Sequence, residues 1–170
     1  MGLIEAIESS GFAAWVRESP SLFAYTSILA LHAVGLALIV GINTVVALRL
    51  LGFAPGLPIA PLRKLFPWMY VGFTVNALSG LALLAANLST VLGNWMFALK
   101  LGFIALAMVN LELTRAQVFD APSVSLSGEL VLRRARVFAI NSLVLWALAI
   151  VSGRLTSYPN FVAGLLGVSP

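Results

Sequence analysis

Residues 19–51, SPSLFAYTSILALHAVGLALIVGINTVVALRLL, form a single run too apolar for a water-exposed helix, and three more long apolar runs follow it. A bilayer-spanning helix needs about 20 consecutive apolar residues. Each of the four runs meets that length, and in a chain of 170 residues they leave room for little else. Charged residues make up 9% of the chain, against roughly 25% in soluble domains, while 61% are hydrophobic. The mean hydropathy of +1.03 agrees. These features predict an all-α integral membrane protein, a four-helix bundle preceded by an amphipathic interfacial helix.

Punctuation along the chain divides it into an N-terminal segment (residues 1–18), the four-helix unit (19–158) and a tail (159–170). In the N-terminal segment, Leu3, Ile4, Ile7, Gly11 and Trp15 fall on one helical face, with Glu5 and Glu8 opposite. No cationic stretch precedes an apolar core there, so the segment reads as a helix in the headgroup plane rather than a cleaved signal. Ser19 as N-cap and Pro20 at the first helical position signal a helix start. The spans are then expected near residues 20–51, 62–88, 94–118 and 129–155. The short turn at 89–93 sets the second and third helices antiparallel and packed together. The tail, too short to cross, is expected on the membrane surface.

Two faces of the first span draw notice. Ala33, Ala37 and Gly41 repeat every four residues, the pattern of a groove that admits another helix. His32, Gly35, Ile39 and Asn43 form the neighbouring stripe, expected to face the bundle. On the second span, Gly72, Asn76, Ser79 and Gly80 form a small and polar face.

Basic residues set the orientation. Arg49, Arg63, Lys64, Arg115, Arg133, Arg134 and Arg136 lie in or beside the first-to-second and third-to-fourth connections, against Arg17, Lys100 and Arg154 on the other side. Both polar connections are therefore expected in the cytoplasm and both termini outside, in the periplasm. The net charge of +4 follows from this topology and is no sign of nucleic-acid binding.

Ionisable groups inside a span are expensive and usually face the bundle interior or snorkel to the surface. His32 is the only histidine. By helical rise it shares the outer half of the membrane with Lys100 and Arg154, a set suited to an anionic, partly apolar ligand. One reading is b-type haem, with His32 as axial ligand and Lys100 and Arg154 on the propionates. The second ligand would then come from a homodimer meeting at His32, or from Met69 or Met96. Another reading is a quinone or lipid headgroup on His32 and Lys100, with Asn76 nearby and Trp146 as one wall of the pocket. The plainer alternative has His32 bonded to a backbone carbonyl or to Asn76, Trp146 as core filler, and both cations at headgroups. Asn43, Asn76, Asn110 and Asn141 either line a hydrated path or, as the favoured reading, bond across helices. Glu112 and Arg115 read as a surface pair. Trp68, Trp95 and Tyr158 read as interface anchors.

With no cysteine, thiolate metal sites, iron–sulfur ligation and covalent haem attachment are absent. There is no histidine pair for zinc, no Ser-His-Asp set and no glycine-rich phosphate loop, so a self-sufficient enzyme is not expected.

The segments LHAVGLALIVGINTVVALRLLG, PLRKLFPWMYVGFTVNALSGLALL, WMFALKLGFIALAMVN and SGRLTSY resemble a family of small uncharacterised bacterial inner-membrane proteins with four spanning helices. That family is distantly similar to copper-resistance D-type membrane proteins. The resemblance covers about residues 20–158, and its most specific pieces are His32–Gly35 (HAVG), Arg49–Gly52 (RLLG), Lys100 and Gly153–Arg154. It implies a bacterial inner membrane and carries no assigned activity. Copper prefers soft ligands, and this chain has one histidine, no cysteine and no methionine cluster. The sequence therefore points to a non-enzymatic accessory, anchor or ligand-binding subunit of a larger membrane complex. The alternatives are a haem electron carrier and an oligomeric small-solute transporter.

Overall fold

The computed structural model describes residues 2–21, 23–120, 129–156 and 158. Among these the chain is 84% helical with no strand. Four helical stretches are long and apolar enough to cross a membrane: Tyr25–Leu50, Ala60–Ala86, Trp95–Phe119 and Leu132–Leu155. Only 17–33% of their most apolar windows is buried within the protein. Leu31, Val34, Leu78, Leu81, Leu106, Val109, Ile140 and Val151 all point outward. Apolar surface on that scale is incompatible with water and suits acyl chains.

The N-terminal segment is two short helices, not the single amphipathic helix expected. These are α1 (Leu3–Glu8) and α2 (Gly11–Glu18). Ser10 starts a new helix by accepting a hydrogen bond from the Ala13 amide at 3.2 Å, a capping role for which serine is well suited. The break resets the helical phase. Ala13 and Val16 become the buried face of α2, while Gly11 and Trp15 are exposed.

The first long helix, α3 (Tyr25–Leu50), also begins later than the Ser19-Pro20 signal suggested. A residue before proline is driven to extended backbone, and Ser19 accordingly ends α2 at φ −65, ψ 128. Its hydroxyl accepts from the Ser21 amide, and Ser21 accepts in turn from Phe23, making turns where a first helical turn was expected. At the other end, Gly52 takes φ +104, a conformation suited to glycine. Its amide and that of Phe53 bond to the carbonyls of Arg49 and Leu48, which closes α3. Arg49 secures the following loop by donating to Pro55 O at 3.1 Å.

A tight 3-10 segment (Ala60–Leu65) leads into α4 (Phe66–Ala86). Pro67 falls in the first α-turn, where no amide donor is required. The single-turn α5 (Leu88–Leu92) joins α4 to α6 (Trp95–Thr114), and α6 ends in one π-type turn, Arg115–Phe119. The last helix is α7 (Glu129–Leu155). The expected loop at 121–128 and the surface tail at 159–170 lie outside the described residues.

Helix pairing departs from the expected hairpin. The closest backbone approaches are α3 on α4, α6 on α7, and α3 on α7. The α4 and α6 backbones stay further apart, although the chain joins them by a short turn. Glycine decides the α3–α4 contact: a Cβ on Gly35 would lie 2.6 Å from the Asn76 amide nitrogen, and one on Gly72 would lie 2.8 Å from that of Ile39. The His32–Gly35–Ile39–Asn43 stripe does face the neighbouring helices, with Gly35, Ile39 and Asn43 buried. The Ala33–Ala37–Gly41 stripe does not serve as an internal groove: all three are exposed.

The core forms two apolar clusters. Ile39, Phe66, Met69, Ala107, Leu111, Trp146 and Ala149 draw on all four long helices. Val46, Ala47, Leu50, Leu62, Val118, Ala135 and Ala139 fill the end where the 3-10 segment and the π-turn lie. At the opposite end, α1 and α2 pack on α4 and α5. There Arg17 donates to Ala86 O at 3.2 Å, and Glu8 accepts from the Ser89 amide and hydroxyl, both at 2.8 Å.

Candidate functional site

Each close helix pair carries a polar bond. Between α3 and α4, the Asn76 side-chain amide donates to His32 O at 2.8 Å. Between α6 and α7, Asn110 donates to Phe138 O at 3.0 Å. Between α3 and α7, Ser142 donates to Asn43 Oδ1 at 2.8 Å. Asn43, Asn76 and Asn110 therefore bond across helices, as favoured over a hydrated path. Asn141 is exposed, and its neighbour Ser142 takes the cross-helix role.

His32 sits seven residues into α3, about 10 Å along the axis, because the helix starts at Tyr25. Lys100 lies five residues into α6, about 8 Å along its axis. Each group thus lies one to two turns in from the start of its own helix. The His32 ring rests on α4 where Gly80 leaves room: a Cβ there would meet Cε1 at 3.0 Å. Its Nδ1 lies 2.9 Å from Asn76 O and 3.3 Å from Ser79 Oγ. A carbonyl oxygen can only accept, so Nδ1 carries the proton and donates. Ser79 gives its own proton to Val75 O at 2.6 Å, which leaves its oxygen free to accept as well. In the neutral ring the lone pair is consequently on Nε2, the nitrogen not engaged with α4.

Lys100 is half-buried, and its stem lies along α7 over Gly153, with Cδ 3.1 Å from the position a Cβ would take. The ammonium has no hydrogen-bond or ion-pair partner among the described residues, and it lies within electrostatic reach of the His32 ring. The imidazole thus rests on α4, while α7 serves as the bed for the lysine stem.

The remaining expected site residues are elsewhere. Arg154 is exposed, donates to Tyr158 Oη at 3.3 Å and stacks on that ring at 5.5 Å, so it does not sit over His32. The one-residue step from Gly153 turns it to the outer side of α7. Trp146 is 3% exposed and fills the core beside Ile39, two helical turns along α3 from His32. It packs in the core, and its Nε1 has no partner among the described residues. Met69 is fully buried in the same cluster, and a methionine there belongs to the core rather than to the His32 ring.

A second polar cluster, only partly anticipated, lies at the opposite end. Tyr70 donates to Glu112 at 2.6 Å and accepts from Arg115 at 3.0 Å. Arg115 also pairs with Asp120 at 3.2 Å, and Arg63 reaches the same carboxylate at 2.7 Å. The Glu112–Arg115 surface pair is present at 3.6 Å but belongs to this larger network. Sequence spacing missed Tyr70 and Asp120, which come from different helical segments. The signal that was available at the His32 end is the four-residue spacing of Gly72, Asn76 and Gly80, one line of small and polar residues along α4.

Among the described residues no group of three histidine, cysteine or acidic side chains could hold a metal ion. The class defined so far is a helical protein with four membrane-crossing-length helices, two of which carry an imidazole and an ammonium within their apolar lengths. Comparison with known protein families, curated proteins and solved structures finds no match.

Proposed function

We propose that this chain is a non-enzymatic integral membrane protein, a four-helix bundle that holds the polar head of a small apolar ligand between His32 Nε2 and Lys100 Nζ. What supports the reading is that the Lys100 ammonium lies within electrostatic reach of the His32 ring. His32 has its Nδ1 proton committed to Asn76 O, which leaves Nε2 as an acceptor, and the ammonium is a donor without a partner among the described residues. An acceptor beside a cationic donor fits a headgroup that offers both a hydroxyl and a carbonyl or anionic oxygen, such as a quinol/quinone or a lipid. The protein would act as an accessory or anchor subunit in a larger complex.

The excess of basic residues near the 3-10 segment and the start of α7 supports an orientation with both termini outside, and the bacterial cytoplasmic membrane rests on the resemblance of residues 20–158 to small four-span inner-membrane proteins. Trp15 and Phe12, both exposed with ring centroids 6.3 Å apart, support α2 as an interfacial helix. Membership in the small four-span inner-membrane family belongs to the same proposal.

The test is purification from native membranes in mild detergent, followed by extraction and mass spectrometry of bound quinones and lipids. A stoichiometric species that is lost in both His32→Leu and Lys100→Met supports the reading. Equal recovery from wild type and both variants overturns it.

A second reading, b-type haem on His32, has one observation in its favour: an imidazole whose Nδ1 proton is held by a carbonyl is oriented as a metal-bound histidine is. A Soret band lost in His32→Ala would establish it, and a colourless preparation would remove it.

A further inference from the structure

Asn43 is 4% exposed, and its Nδ2 has no hydrogen-bond partner among the described residues. Its Oδ1 is already used by Ser142. Asn43 lines a void of ≈ 10 Å³ together with Thr114, Ser142, Phe66, Leu111 and Ala139. That is close to the smallest space able to hold one water, which also needs two to four polar partners.

The protons around this void are distributed in a telling way. Thr114 Oγ1 donates to Asn110 O at 2.7 Å, and Ser142 Oγ donates to Asn43 Oδ1 at 2.8 Å. Both hydroxyls have thus spent their protons and present only lone pairs. Asn43 Nδ2 presents only protons. One molecule able to accept once and donate twice complements the set.

We infer that the void binds a single internal water, which accepts from Asn43 Nδ2 and donates to the Thr114 and Ser142 hydroxyls. The site differs from the direct cross-helix bonds in joining α3, α6 and α7 at one point. It lies eleven residues along α3 from His32, about 16 Å by helical rise, and does not depend on any ligand there. Leaving a buried amide proton unpaired is more costly than immobilising one water. A monovalent cation is disfavoured by the amide protons facing the space.

The experiment is water-selective NOE spectroscopy on isotope-labelled protein in bicelles, with the Asn43 side-chain amide assigned by its loss in Asn43→Leu. A direct cross peak to water with the sign of a long-lived contact is expected in the wild type. In Thr114→Val, which keeps shape but removes an acceptor, that peak should fall by at least half. Absence of the peak in wild-type protein overturns the inference whether or not the variants fold. So does an undiminished peak in a folded Thr114→Val. A shift of the Asn43 amide on exchanging choline for sodium would assign the void to a cation instead.

Discussion

Gly35 and Gly72 face each other so closely across α3 and α4 that a Cβ on Gly72 would lie 3.0 Å from Gly35 O. The reciprocal contact is tighter still, at 2.8 Å from Gly72 O. Backbone atoms, not movable side-chain tips, are in the way. Gly35→Ala should therefore push the helices apart and destabilise the protein by about 1–3 kcal/mol, the range for overpacking. Gly41→Ala, with nothing within 4 Å, should leave stability unchanged or raise it by up to about 1 kcal/mol, alanine being the better helix former. Thermal or denaturant unfolding in detergent checks both, and equal effects would show that the glycine contact is not what sets this pairing.

Asn76 holds His32 from both ends of its peptide: its side chain bonds to His32 O and its carbonyl takes the ring proton. Only the first bond is lost in Asn76→Leu. Polar bonds between membrane helices average about 0.6 kcal/mol and reach about 1.7, so a loss in that interval is expected. His32→Leu removes the second bond. Asn76 Nδ2 also lies 3.3 Å from His32 Nδ1, so the two side chains share one network and a double-mutant cycle by unfolding should give a coupling of about 0.5 kcal/mol or more.

The spans were legible in the sequence because hydropathy over twenty residues is a bulk property, and the inward stripe of α3 was legible because helical period fixes faces. Where reading failed, a local competition decided. Ser9 and Ser10 could continue a helix or cap one, and Ser10 capped. Ser19 before Pro20 resembled a helix start, but proline forced Ser19 into extended backbone. Ala33–Ala37–Gly41 and Gly35–Gly72 are both small-residue patterns, and only the second has a partner glycine on the facing helix. That His32 and Lys100 lie near the starts of their helices was readable. That Arg154 would turn to Tyr158 was not, because one residue along α7 separates the Lys100 bed from the outer face.

Tyr70, Glu112, Arg115, Asp120 and Arg63 form a network that joins the start of α4 to the π-turn, yet its charged members are substantially exposed. Exposed ion pairs contribute about 0–1 kcal/mol. Tyr70→Phe deletes the hydroxyl that both Glu112 and Arg115 use and should cost no more than about 1 kcal/mol in unfolding experiments. A larger loss would mean that the network governs how α6 enters its π-turn, which a shift in Asp120 backbone resonances would reveal.

Glu8 ties the N-terminal helices to α5 by accepting from both the amide and the hydroxyl of Ser89. Those bonds favour the carboxylate, with the Ser89 amide the largest influence, and hold the Glu8 pKa below the ordinary glutamate value. A depressed acid stabilises the docked state above its undocked pKa, near ~4.3, and that stabilisation disappears as pH falls through the docked value. Residues 2–18 should thus be protected from proteolysis near neutral pH and become susceptible as the pH falls below about 4. Glu8→Gln should lower protection at neutral pH and flatten the pH dependence, while Glu5→Gln, whose carboxylate reaches only the Gly2 amide at 3.1 Å, should leave the profile intact. Limited proteolysis in nanodiscs between pH 3 and pH 7 reads this directly; a wild-type profile unchanged across the range would show that α2 packing on α4, not the Glu8 carboxylate, holds the segment in place.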